Sequence, residues 1–462
     1  MSKARTEIPL VVSEPPMRMD LPRNTFRILR LLPAFVVLVI LMNPDAALSQ
    51  QEPRPVTVGP AEADILGTDN VAIQKAIDRV AAAGGGTVLV KAGTYTLANS
   101  VRLASGITLR GEGPQKTILK KAAPVRSKLK LDADYAEMKA TVESVQGFAP
   151  GMGVTLVDKE NLRGWTPSIR TIVRIEGQTL YFDRFLQMDL SVENEGEVFN
   201  TFPLIAGFDV HDVRVEDLAV DGTRAGSGIL DGCQTGAIYF FHSQRMTIRN
   251  CVARNYPGDG ISTQYVEDPV VENCEVYDNA NLGIHLGTGA ERGRVRFNRV
   301  HDNGQDGLYL CWRVQHAVYE GNKSWNNGDN GISLGHKDTD NLFIKNTVSG
   351  NANAGIYFRD DNEANAAHRN TFEENVIEDN GRPGAPGYGV RIEGVTHNLK
   401  FVSNTIRSNA KGAEVVQPVG IYVGPKADFV TCERNTFAGD VKQPIVDKST
   451  GGHNELAQAG GK

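Results

Sequence analysis

Cysteine is scarce in this chain of 462 residues: five in all, at positions 233, 251, 274, 311 and 432. They are too few and too scattered for a disulfide-built scaffold, and no pair or quartet has the spacing of a structural zinc site. Long apolar runs are missing too. The longest, Leu31 to Met42, falls short of the ~20 residues that cross a bilayer. It follows Arg23, Arg27 and Arg30 and precedes the small residues Ala46, Ala47 and Ser49, the order of a secretory signal peptide cleaved near Ser49. A secreted or periplasmic protein is expected, with an uncleaved signal anchor as the alternative. Basic excess is absent as well: net charge is −6, and −8 once residues 1–49 with their six Lys/Arg and four Asp/Glu are removed. That balance argues against nucleic acid as a partner and leaves an anionic polymer accessible only through a local basic strip.

What is present is repetition. A glycine opens a short apolar strand at Gly236, Gly260, Gly283, Gly307, Gly331, Gly355, Gly389 and Gly420, mostly 24 residues apart. Such a period marks a parallel β-solenoid, whose coils stack because none can bury its apolar face alone. A second series, Asn250, Asn273, Asn298, Asn322, Asn346, Asn375, Asn404 and Asn435, is locked to the first and predicts a hydrogen-bonded ladder. Cys251 and Cys274 each follow one of these asparagines one coil apart, close enough for either a disulfide or two stacked thiols.

One amphipathic helix is legible, Asp69 to Ala83. Asp69 or Thr68 caps it, Val71, Ala76, Ile77 and Val80 form its face, and Gly84-Gly85-Gly86 ends it. Laid over the first coil, it would cover an open sheet edge. The periodicity stops at about Arg126, turns hairpin-like, and resumes after about Phe202. The expected order is a signal peptide (1–49), cap helix and first coils (50–125), an inserted β-rich subdomain (126–203), β-helix coils (204–448) and a tail without structure (449–462). Two repeats are longer than the rest, with extra residues at Arg382–Tyr388 and Lys411–Val419, which a solenoid places as loops on one face.

The segment Asn70-Val-Ala-Ile-Gln-Lys-Ala-Ile-Asp78, the triple glycine, Ala92-Gly-Thr-Tyr95 and the coils together resemble the pectate-lyase-like superfamily of right-handed parallel β-helix proteins. The resemblance implies an all-β solenoid with a capping helix, and a carbohydrate-active role as lyase, hydrolase, epimerase or tailspike. It departs from two subfamilies. In polygalacturonases, Asn-Thr-Asp, Asp-Asp and Gly-His-Gly succeed one another, whereas here Asp360-Asp361 follows Gly335-His336-Lys337 and no Asn-Thr-Asp precedes. Mannuronan epimerases of this fold carry an Asp-Pro-His-type motif, and Asp268-Pro269 lacks the histidine.

Side chains alternate along a strand, so the residue two after each glycine points outward and recurs vertically: Ser262, His285, Tyr309, Ser333, Tyr357, Arg391, Tyr422. The fifth position gives Trp312, His336 and Asp360, flanked by Arg313, Lys337 and Asp361. Taking a proton from beside a sugar carboxylate needs a base tuned near working pH and a positive group against the developing charge. His336 is the expected base, with Arg313, Lys337 and Arg359 supplying charge and Asp360 beside them. Trp312, Tyr309, Tyr357, His285 and Arg391 are the expected substrate contacts. The plainer reading of each is a solvated turn, a loop-packing aromatic or a surface ion cluster. Asp338, Asp340 and Asp361 can instead hold a hard cation such as Ca²⁺, and an Asp pair can serve a glycoside hydrolase. The leading expectation is a monomeric polysaccharide lyase acting on a uronate-containing, acidic glycan, without a stable membrane partner. A hydrolase of the same fold and a noncatalytic glycan-binding or structural solenoid are the alternatives.

Overall fold

The computed structural model describes residues 54–385, 387–409 and 415–457. The expected signal peptide lies outside them. Apart from one helix, regular structure among the described residues is β. Three parallel sheets run the length of the solenoid, one of 14 strands and two of 11. A coil visits them in turn, as in Ile261–Glu267, then Val270–Glu272, then Glu275–Tyr277. The first of these belongs to the sheet that carries the outward column, called the cleft sheet below.

The helix spans Asn70–Ala82. The Asp69 side chain accepts the Ala72 N–H at its start, and Ile73, Ala76, Ile77 and Val80 are buried over the first coil. Val71, expected on the apolar face, is 67% exposed. It is the second helical residue, and the 3.6-residue period puts Ala72 and Ile73 inward in its place.

Inside the solenoid the apolar side chains stack on their counterparts in adjacent coils, as Tyr319, Phe343, Phe372 and Phe401 do with ring centroids 4.8, 4.5 and 5.0 Å apart. The asparagine ladder runs from Asn298 to Asn435, each Nδ2 donating to the next Oδ1 at 2.9–3.0 Å. Asn250 and Asn273 do not join it. They take the left-handed turn (φ 53° and 54°) and are exposed, while Cys251 and Cys274 fill the inward ladder positions as free thiols. Asparagine tolerates left-handed backbone, so the residue type alone does not distinguish turn from ladder. A second ladder, Asn279, Asn303, Asn327, Asn351, Asn380, closes on Gln417.

The insertion is a separate six-stranded antiparallel sheet with its own core of Leu129, Val142, Val154, Leu156, Ile172, Leu180, Phe182 and Val198. It leaves the solenoid after Thr117–Lys121 and returns at Ile205–Phe208, at the corner before the cleft sheet. The segment 222–237 and, as far as they are described, both extended repeats occupy the same corner. The tail is ordered as far as it is described: Glu455–Leu456 pairs with Thr431–Cys432, and the His453 ring hydrogen-bonds Asp428 at 2.7 Å.

Candidate functional site

The outward column forms in register: Ser262, His285, Tyr309, Ser333, Tyr357, Arg391 and Tyr422 lie on successive strands of the cleft sheet. Over its upper part the insertion and the 222–236 segment close down to form a cleft of about 610 Å³. Leu162 and Arg163 of the insertion face His285, Tyr309 and Cys311 of the sheet across it, with Arg126, Asp231 and Cys233 at its sides. The lid is tied down by the Gly164 N–H, which donates to Asp231 at 2.9 Å.

At the base of the cleft His285 Nδ1 is 2.8 Å from Asp259 Oδ2, both side chains almost wholly buried, and Asp259 also accepts the Leu282 N–H. The carboxylate fixes the proton on Nδ1, so the lone pair of a neutral imidazole sits on Nε2, which has no hydrogen-bond partner. Burial works against charging His285, but the Asp259 bond and the negative charge of the Cys311 thiolate overcome it and hold the pKa up at about 9. Burial in turn raises Asp259, with His285 opposing it. Gly232 makes the close packing feasible, because a Cβ there would come within 1.5 Å of Asp259 Oδ2. Tyr309 stands edge-on to the imidazole with centroids 5.1 Å apart. Burial pushes its phenol well above the ordinary value. Burial also opposes ionising Cys311, yet the neighbouring His285 and His336 imidazoles and the Arg359 charge bring it down to about 6.

The residues expected from sequence divide. Trp312 and His336 are stacked, centroids 4.7 Å apart, on the corner after the cleft sheet, both on positive-φ turn residues. His336 Nε2 is 3.6 Å from Asp361, whose other oxygen accepts the His336 N–H. His336 Nδ1 reaches Cys311 Sγ at 4.0 Å, so this group borders the cleft on its Cys311 side. Trp312, Arg313, Lys337 and Asp360 are not among the side chains that line the cleft. Asp360 breaks the expected register: Asn365 pairs with Lys337 in its place, and Asp360, 61% exposed, binds Lys426. Arg359 is a buried strut, its guanidinium donating to Leu310 O, Ser333 Oγ and Asp338. Arg391 is held by Glu393 and packs over Tyr388 and Tyr357.

The three aspartates suggested for a cation are engaged apart. Asp338 is buried among the Val314 and Gly335 N–H groups and Arg359, Asp340 is paired with Arg369, and Asp361 caps His336. Among the described residues, one trio of His, Cys, Asp or Glu brings its ligand atoms within 4.8 Å of one another: Glu363, His368 and His397. It is closed by its own hydrogen bonds. His368 Nδ1 accepts the His397 N–H, which leaves the proton on Nε2, bonded to the Glu363 carbonyl.

Asp259, Asp231, Gly232 and Cys311 were not anticipated. Asp259 carried a sequence signal, since it immediately precedes a column glycine, and Asp306 at the equivalent position likewise bonds the following coil through Asn330.

Two family descriptions match the chain: "Rhamnogalacturonase A/epimerase, pectate lyase-like" over residues 56–285 and "Right handed beta helix region" over 227–372 and 326–437. Among solved structures, the A-module of Azotobacter vinelandii mannuronan C-5 epimerase AlgE6 superposes with a TM-score of 0.53 at 17% identity, covering 84% of this chain and 93% of that one. The AlgE4 A-module of the same organism gives 0.52 at 18%, covering 84% and 96%. No curated protein matches by sequence. At such identities the superpositions speak for the fold, and with the two family matches they place this chain in the pectate-lyase-like superfamily of right-handed parallel β-helix proteins.

Proposed function

We propose that the protein is a polysaccharide-acting enzyme that takes the proton from beside the carboxylate of a uronate unit and completes the reaction by β-elimination. The observation that carries this reading is the Asp259–His285 dyad at the base of the cleft, with Nε2 unpartnered and Tyr309 beside it. In this scheme His285, rather than His336, is the base. Nε2 accepts the C5 proton, and Asp259 holds the imidazolium that forms. Electrons of the C5–H bond pass into the carboxylate as an enolate, then form the C4–C5 double bond as the C4–O bond breaks. The Tyr309 hydroxyl gives its proton to the departing oxygen. Arg163 on the opposite wall supplies positive charge for the substrate carboxylate, while Arg126 at the side is paired with Glu197.

The resemblance to mannuronan C-5 epimerases supports a second outcome of the same first step, return of the proton to the other face of C5 with no bond cleaved. One experiment separates them. Pectate, alginate and glycosaminoglycan substrates are incubated with the protein and followed by ultraviolet absorbance and by proton NMR. Elimination gives absorbing unsaturated ends, and epimerisation gives altered anomeric signals without absorbance. New reducing ends without absorbance would assign a hydrolase, and no change with any polymer would leave a noncatalytic binding protein.

A further inference from the structure

The loop that brings Leu162 and Arg163 into the cleft also carries Trp165 into a second chamber, of about 280 Å³, between the insertion and the first coils. Its floor is aromatic. Trp165 meets Phe241 at 5.8 Å and Tyr265 at 6.4 Å, and Phe208 lies 5.8 Å from Tyr239. Trp165 and Phe208 are 42% and 43% exposed, an unusual outlay of apolar ring surface to water for two neighbouring residues.

Charge in the chamber is of one sign. Arg102, Arg170 and Arg184 line it and no Asp or Glu does, although the chain as a whole is acidic. The three arginines differ in availability. Arg170 is spent on the Phe185 and Ile169 carbonyls, and burial with the nearby Arg184 charge lowers its pKa to about 10. Arg184 makes one bond of 3.2 Å, to Ile169 O, and lies 3.5 Å from Asp183 outside the lining. Arg102 is exposed on the solenoid side, and its guanidinium is among the groups with no hydrogen bond or ion pair in the described structure.

Aromatic faces suit the apolar C–H face of a pyranose, and a guanidinium matches a carboxylate in two parallel hydrogen bonds. The volume sits near the lower limit of ligand sites, ~300–1,000 Å³. Tyr239 stands in register above Ser262 and then His285, two strand spacings or ~10 Å along the cleft sheet.

We propose that this chamber is a remote subsite for a uronate unit of the polymer, its ring against Trp165 and Phe208 and its carboxylate on Arg102 and Arg184. The inference rests on the reading above, that the protein acts on uronate polymers, and it gives the insertion a role in holding the chain while His285 acts farther along it.

The test separates binding from turnover. Affinity electrophoresis through gels containing polygalacturonate, alginate, dextran sulfate or neutral dextran is run on the wild type, His285→Ala, Trp165→Ala and Arg102→Gln proteins, with thermal melting to verify folding. The expected result is retardation by the polyuronates, kept by His285→Ala and weakened about tenfold by Trp165→Ala or Arg102→Gln. Arg102→Gln changes an exposed side chain, so it reads the subsite even if Trp165→Ala disturbs the loop. Equal retardation of Arg102→Gln and wild type overturns the subsite, as does retardation by neutral dextran alone or by dextran sulfate alone. If polyuronates are bound through the chamber and none is turned over, the subsite stands and the reaction falls. Turnover with an unchanged KM in both variants gives the reverse.

Discussion

The solenoid and the insertion solve the same packing problem by opposite means. In the solenoid each coil repeats the previous one, so a buried position is a column: Asn298 to Asn435, or the rings of Tyr319 to Phe401. In the insertion, six antiparallel strands close around a core that repeats nothing. Repetition gives stability that grows coil by coil, but it presents a similar outer surface at every level. A site needs a level unlike its neighbours. The cleft and the second chamber both lie where the insertion overhangs the coils.

The strongest way to break this comparison is at the dyad. His285→Ala is expected to lower turnover by ~10²–10⁴-fold, while His336→Ala, at the border, costs less than tenfold. Steady-state kinetics on the polymer identified in the substrate panel read both, and the opposite ranking returns the base to the corner after the sheet. Next comes pH. His285 has a folded pKa of about 9, above its ordinary 6.5. Stabilisation by the charged pair is therefore complete below about pH 6.5 and lost as pH rises through about 9. A base must be neutral, so kcat/KM rises over the same interval. Asp259→Asn removes the larger of the two influences that hold the pKa up, Cys311 being the other, and should move that limb to lower pH; a limb that stays in place excludes His285 as the titrating group.

Within the solenoid the contrast is between ladder and turn. Asn322→Ala strands buried amide partners on both sides and is expected to cost ~1–3 kcal/mol, read as a lower melting temperature with the catalytic rate of the remaining folded enzyme unchanged. The smallest effect belongs to Asn250→Ala, exposed but on left-handed backbone that alanine tolerates less well, at ~1 kcal/mol. Equal losses from the two would mean that the ladder is no more than a surface feature.

Much of the solenoid was legible because a glycine every 24 residues is a one-dimensional signal, and the same arithmetic put Trp312 above His336 and His285 above Tyr309. Arithmetic failed where coil length changes. The stretch after Phe358 carries extra residues, which moved Asp360 out of the column and let Asn365 in. It also could not say which of two adjacent polar residues turns inward, so Asn250 and Asn273 were exchanged with Cys251 and Cys274. Arg359 reads as a surface cation because nothing local says that Asp338 and Leu310 O surround it. The cleft's far wall comes from residues more than a hundred positions away from His285, a distance over which no period carries information.

The ladder has a consequence of its own. The bonds from asparagine to asparagine run in one direction: the main-chain N–H and one side-chain amide hydrogen of Asn298 go to Asn322, those of Asn322 to Asn346, and so on to Asn435, while the other amide hydrogen of each turns back to a carbonyl of the preceding coil, Val271 for Asn298 and Val295 for Asn322. Read as a growing polymer, the molecule therefore has polarity. A nascent chain that has laid down the coil of Asn322 ends in two donors with nothing to receive them, and the carboxamide oxygen that satisfies both arrives only with the following coil. Each turn is the primer for its successor, and assembly has a built-in arrow that matches the order of synthesis.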